Sequence, residues 1–183
     1  MKTRLNQLRE GYAELERGVQ ELVQATCSST CALCTSCCCR ADICEEALES
    51  PFLRELHQQD DLLSDRYGFL TESGCSLPQG RPPICYEFFC DGILSDQPDE
   101  LYRDVLRILG RLPAFAGENA LNGQHLTEIM DASQLEKINF EDVEAQLQLS
   151  LHALEIIQAF YTDGTLTERS RQVLGQIGLV NDD

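Results

Sequence analysis

The chain has 183 residues, 43% of them hydrophobic, with five Tyr, seven Phe and no Trp, the composition of one soluble globular domain or one domain with an added helical piece. Its formal charge of −17 and pI near 4.4 would repel phosphate backbones and anionic lipid surfaces, so neither nucleic acid nor membrane is expected as a partner. No apolar run approaches the ~20 residues of a membrane span, and the opening MKTRLNQLREGYAELERG lacks the apolar core of a signal peptide; a cytoplasmic protein is expected.

Taken in order, residues 3–25 carry Leu5, Leu8, Tyr12, Leu15, Val19 and Leu22 three or four positions apart, which predicts a helix with one buried face. Gly11 weakens that helix by ~1 kcal/mol relative to Ala. The run CSSTCALCTSCCCRADIC, Cys27 to Cys44, follows and holds seven of the ten cysteines. Asp42 suits the cap of a short helix through Leu48. Ser50-Pro51 then predicts a further helix to about Tyr67, ended by Gly68.

From Gly68 to Cys90 the Gly, Pro and Ser punctuation predicts turns, extended pieces and a small hairpin, with Arg81-Pro82-Pro83 extended before Cys85. Pro98 predicts the start of a helix over DELYRDVLRILGRL, and a short helix is expected near Leu126 to Met130. Ser133 with Glu136 and Thr165 with Glu168 both match the capping-box pattern. Between them a long helix is expected from about Phe140 to Tyr161, stopped by Gly164, and a last one runs to about Gln176. The fold class is therefore mainly α, a small cysteine-rich segment with short extended pieces packed among helices. The boundaries are an N-terminal helix at 1–26, a cysteine-rich domain at 27–90 and a helical region at 91–183.

Ten cysteines in a chain without a secretory leader point to a reducing compartment, where clustered thiols hold metal more often than they form disulfides; an exported disulfide framework is the alternative. Cys31 and Cys34 form one Cys-x-x-Cys pair, Cys34 and Cys37 another, and such a turn brings two thiolates to ~2.3 Å from one zinc ion. A tetrahedral site needs further thiolates from distant sequence, which Cys75, Cys85 and Cys90 supply. Arg40 and Arg81, each beside a cysteine segment, are the candidates to offset the negative charge of such a site.

The run CALCTSCC, Cys31 to Cys38, resembles the CxxCxxCC signature of the YkgJ-like cysteine-cluster family, a zinc- or iron-chelating domain. CSLPQGRPPICYEF, Cys75 to Phe88, is similar to that family's second block, and the two blocks with their spacer cover about residues 27–90. The resemblance implies a small metal-binding domain with Cys31, Cys34, Cys37, Cys38, Cys75 and Cys85 as ligands. It also brings iron into view, since related domains occur with flagellin lysine methylation, where an iron–sulfur cluster is involved. A position before the Phe-Leu pair that often holds cysteine in the family is Gly68 here, and Cys90, beyond the block's usual C-x-x-F, is the candidate to replace that ligand. Cys27, Cys39 and Cys44 are additional to the signature.

Other chemistries fit less well. Cys27, Cys31 and Cys34 share the CxxxCxxC spacing of radical S-adenosylmethionine enzymes, without the alternating strands and helices of their barrel. No βαβ unit accompanies a thioredoxin-like dithiol. His57, on the helix between the cysteine blocks, reads as a surface residue within reach of the site. No nucleophile–base pair or carboxylate pair stands out, so a non-enzymatic role is expected. The expected function is chelation of zinc or iron by clustered thiolates, with an iron–sulfur protein in electron transfer or assisting a modifying enzyme as the second reading. The third is an interaction module: residues 91–165 hold 14 Asp or Glu against 4 Lys or Arg, an acidic face suited to a basic protein partner.

Overall fold

The computed structural model describes residues 3–33, 38–72 and 74–178, and these are mainly helical. In chain order the helices are α1 (Arg4–Leu33), α2 (Ala41–Glu49), α3 (Pro51–His57), α4 (Ile84–Glu87), α5 (Asp91–Ser95), α6 (Glu100–Phe115), α7 (Phe140–Asp163) and α8 (Glu168–Leu174). A two-stranded antiparallel hairpin, β1 (Leu70–Thr71) and β2 (Gly74–Cys75), pairs Leu70 with Cys75 between α3 and α4. Short 3-10 turns at Leu126–Glu128 and Ala132–Lys137 join α6 to α7. No helix among the described residues is long and apolar enough to cross a membrane.

Helix α1 forms on the predicted stripe, with Leu5, Leu8, Tyr12, Leu15 and Val19 all buried while Leu22 is only partly so. Each such side chain taken from water contributes ~1.5–3 kcal/mol, which holds the helix on the body of the protein. Gly11 and Gly18 let it lie close against α7. A Cβ at Gly11 would stand 2.9 Å from Leu147 Cδ2, and one at Gly18 only 2.5 Å from Leu154 Cδ2. Tyr12 locks three helices together: its ring meets Phe52 of α3 edge-on at 5.2 Å, and its hydroxyl donates to the Pro113 carbonyl of α6. The helix continues past the expected end near residue 25, so Cys27 and Cys31 stand on its last turns.

Several boundaries differ from expectation for local reasons. Ser50 caps α3 by accepting from the Leu53 N–H, with Pro51 in the first turn as predicted, but the helix ends at His57 rather than near Tyr67. Gln58 turns left-handed there, and the polar run 58–61 offers no apolar contact to carry another turn. Gly68 consequently caps no helix; it closes a bridge with Ser64. Pro83 has helical backbone angles and bends the chain directly into α4, so the segment before Cys85 is not extended throughout. Asp99 rather than Pro98 starts α6, accepting from the Tyr102 N–H. The cap roles expected of Ser133 and Thr165 fall to Asp131 and Thr167, whose side chains accept from the N–H groups of Ser133 and Ser170.

One apolar core runs through α1, α3, α6, α7 and α8, so the N-terminal helix and the C-terminal region share it. A second, smaller cluster of Cys44, Ala47, Phe69 and Leu77, with Cys75 against it, lies under the hairpin. That small cluster is what positions the cysteine-rich part.

Candidate metal centre

Cys38 and Cys39 precede α2, and Cys44 projects from its first turns. Cys75 sits on β2, and Cys85 on the single turn of α4. The small core draws these elements together, because Cys44 and Ala47 of α2 are buried against Phe69 and Leu77, which flank the hairpin. The result is a cavity of about 510 Å³ lined by all five cysteines, with apolar walls from Ile43, Leu70, Ile84 and Phe88.

The thiols sense one another. Burial pushes Cys44 above the usual thiol range, Cys75 and Asp42 add to this, and a backbone hydrogen bond from Phe69 opposes it. Cys85 keeps exposed surface at the cavity rim. Even so, desolvation by the surrounding protein, reinforced by Cys44, Cys75 and Cys39, pushes its thiol up to about 12. Thiols that raise each other in this way are a set whose ionised form a soft cation would stabilise. Arg81 lines the cavity and favours the Cys85 thiolate, while its Nε donates to the Leu77 carbonyl at 2.9 Å. Arg40 also borders the cavity, but its guanidinium forks onto Asp42 on the exposed surface.

The remaining cysteines go elsewhere. Cys27, buried on α1, is pushed up to about 11 by desolvation and then by Cys31 and Cys90. Cys31 follows Cys27 by one helical turn, and Cys90 caps the start of α5, so these three form a second thiol group at the end of α1. Cys90 therefore lies near Cys27 and does not line the cavity that holds Cys85. Cys34 and Cys37, central to the signature, lie outside the described residues.

His57 is buried, not a surface residue. Its Nε2 stands 2.8 Å from the Ala47 carbonyl, which ties α3 to α2, and its Nδ1 accepts from the Gln59 N–H where the chain leaves α3. Two cavity residues carry no weight in the signature, Cys39 and Cys44, and sequence signals them only by proximity to it. A third functional candidate, Glu16, was not legible at all. It lies fully buried on α1, next to Leu15 in the stripe, and its carboxylate meets the loop that leads to Cys85.

The donor chemistry suits a thiophilic ion: the polar groups facing one another are thiols, over an apolar floor. Among the described residues, no three His, Cys, Asp or Glu side chains stand close enough together to hold a metal ion. Comparison with family models, with curated proteins and with solved structures returns no match.

Proposed function

We infer that the protein chelates zinc or iron through the thiolates around the α2–hairpin–α4 cavity, as its resemblance to the YkgJ-like family implies. The observation that supports this is convergence: Cys38, Cys39 and Cys44 from one block meet Cys75 and Cys85 from the other, more than thirty residues away, around one cavity. Cys34 and Cys37 complete the ligand set in this reading. Bound zinc would cross-link the two blocks, and its binding energy would then be folding energy.

The cavity's volume and apolar walls favour a second reading, an iron–sulfur cluster, which needs more room than a single ion and would supply one-electron chemistry. Either site requires reducing surroundings, in keeping with a cytoplasmic protein. The deciding experiment is anaerobic purification with elemental analysis and a visible spectrum. Colourless protein with stoichiometric zinc selects the first reading. Brown protein with iron and acid-labile sulfide selects the second, and protein that takes up neither metal overturns both.

A further inference from the structure

We propose that Glu16 of α1 is the positioning residue of this site, holding the segment from Gly80 to Tyr86 so that Cys85 faces the cavity. This rests on the metal-binding reading for its purpose, though not for its geometry. Glu16 has no solvent exposure, among apolar neighbours that by themselves would favour an apolar residue at that position. Both of its oxygens nevertheless accept hydrogen bonds. Oε2 accepts from the Gly80 N–H at 2.7 Å, Oε1 accepts from the Arg81 N–H at 2.8 Å, and Oε1 also accepts from the Tyr86 hydroxyl at 2.6 Å. Gln20, one turn further along α1, donates to that hydroxyl at 2.7 Å.

Two successive backbone N–H groups aimed at one anion form a nest, a turn-like arrangement in which one residue is left-handed. Gly80, at φ +76, supplies it. A side chain there would also strike the Leu53 carbonyl, with a Cβ 2.8 Å away. Pro82 and Pro83 follow Arg81 with no N–H to offer, so Gly80 and Arg81 are where this stretch can be gripped by its backbone. Tyr86 is the other end of the grip. Because it belongs to the single turn of α4, fixing its hydroxyl fixes the rotation of that turn, and with it the adjacent Cys85. A carboxylate on the N-terminal helix thus brackets the thiol-bearing segment from both ends.

The test uses the full chain and Glu16→Gln, which leaves one acceptor oxygen and turns an amide NH₂ toward the donors. Zinc affinity is measured by competition with a chelating dye, and iodoacetamide modification of each cysteine is followed by mass spectrometry in metal-free protein. Expected are a loss of about tenfold in zinc affinity, the order found when a group supporting a ligand is removed, and a few-fold faster modification of Cys85 while Cys27 keeps its wild-type rate. A role confined to general stability would lower the melting temperature and change both thiols alike, or neither, and that result overturns the proposal. Wild-type protein that binds no zinc overturns the zinc reading alone and leaves the positioning role to be judged by the thiol rates, which are read without metal. Should Glu16→Gln not fold, Tyr86→Phe removes one of the three bonds. Cys85 must then still react faster than in wild type, and an unchanged rate refutes the assignment.

Discussion

Gly68 stands directly against Cys44: a Cβ built at position 68 would lie 2.4 Å from the Cys44 sulfur. The space that any side chain at position 68 would need is taken by Cys44 itself.

Gly68→Ala should therefore be costly on two counts. Its left-handed backbone, φ +57, strains any residue with a Cβ by ~1–2 kcal/mol, and overpacking against Cys44 adds ~1–3 kcal/mol. Urea denaturation should show the larger part of that sum. Gly123→Ala is the control, since Gly123, at φ +83, is also left-handed but faces open space. Equal losses at both positions would mean that the contact with Cys44 contributes nothing.

The two thiol groups should separate on mutation. Cys85→Ser and Cys44→Ser, together with Cys34→Ser from the signature, are expected to release metal and lower the melting temperature, because ligand binding is coupled to folding. Cys27→Ser lies in the other group and should keep the metal, losing on the order of 1 kcal/mol from a small buried site. Full metal content in Cys85→Ser by elemental analysis would remove that residue from the ligand set.

Stability should fall on the acid side of neutrality through His125. Its Nε2 stands 2.8 Å from the Ala114 carbonyl and its Nδ1 accepts from the Thr127 N–H, the pattern of a neutral ring. Desolvation lowers its pKa below the ordinary 6.5, while the Ala114 bond, Glu128 and Glu118 pull the other way. The unfolded chain then binds the proton more readily than the folded one. The stabilisation is complete above about pH 6.5 and is lost as pH falls through the folded-state value. Denaturation midpoints measured from pH 7.5 to 5 should decline in the wild type. The decline should be shallower in His125→Asn, which keeps a capping side chain but cannot titrate. Parallel profiles would assign the acid sensitivity to other groups.

Close packing of α1 on α7 gives a fourth expectation. Gly18→Ala gains ~1 kcal/mol of helix propensity, yet its new methyl meets Leu154 Cδ2 at 2.5 Å, an overlap that typically costs ~1–3 kcal/mol. A net loss is expected. Leu154→Ala is destabilising alone, and the pair should lose less than the sum of the two single changes, because the small side chain makes room for the methyl. Strict additivity in a double-mutant cycle would show that the helices are not in contact there.

What the sequence by itself determined is local. The three-and-four spacing of α1 and α7, the Ser50-Pro51 start of α3 and Gly164 at the end of α7 each follow from neighbours within a turn or two, and all appear where expected. Helix ends with several competing caps were less legible: Asp131 and Thr167 displaced Ser133 and Thr165 because a cap is chosen by which side chain reaches the free N–H groups. Which thiols meet was decided only by the tertiary structure. Periodicity places Cys27 and Cys31 on one helical face, but it says nothing of a partner sixty residues away, and Cys90 reaches them through the packing of α5 on α1. Likewise Cys44 faces Cys75 and Cys85 because Phe69 and Leu77 must be buried against Ala47, and Glu16 finds Gly80, Arg81 and Tyr86 because α1 passes beneath their loop. Such pairings depend on distances set by the whole core, to which no short stretch of sequence has access.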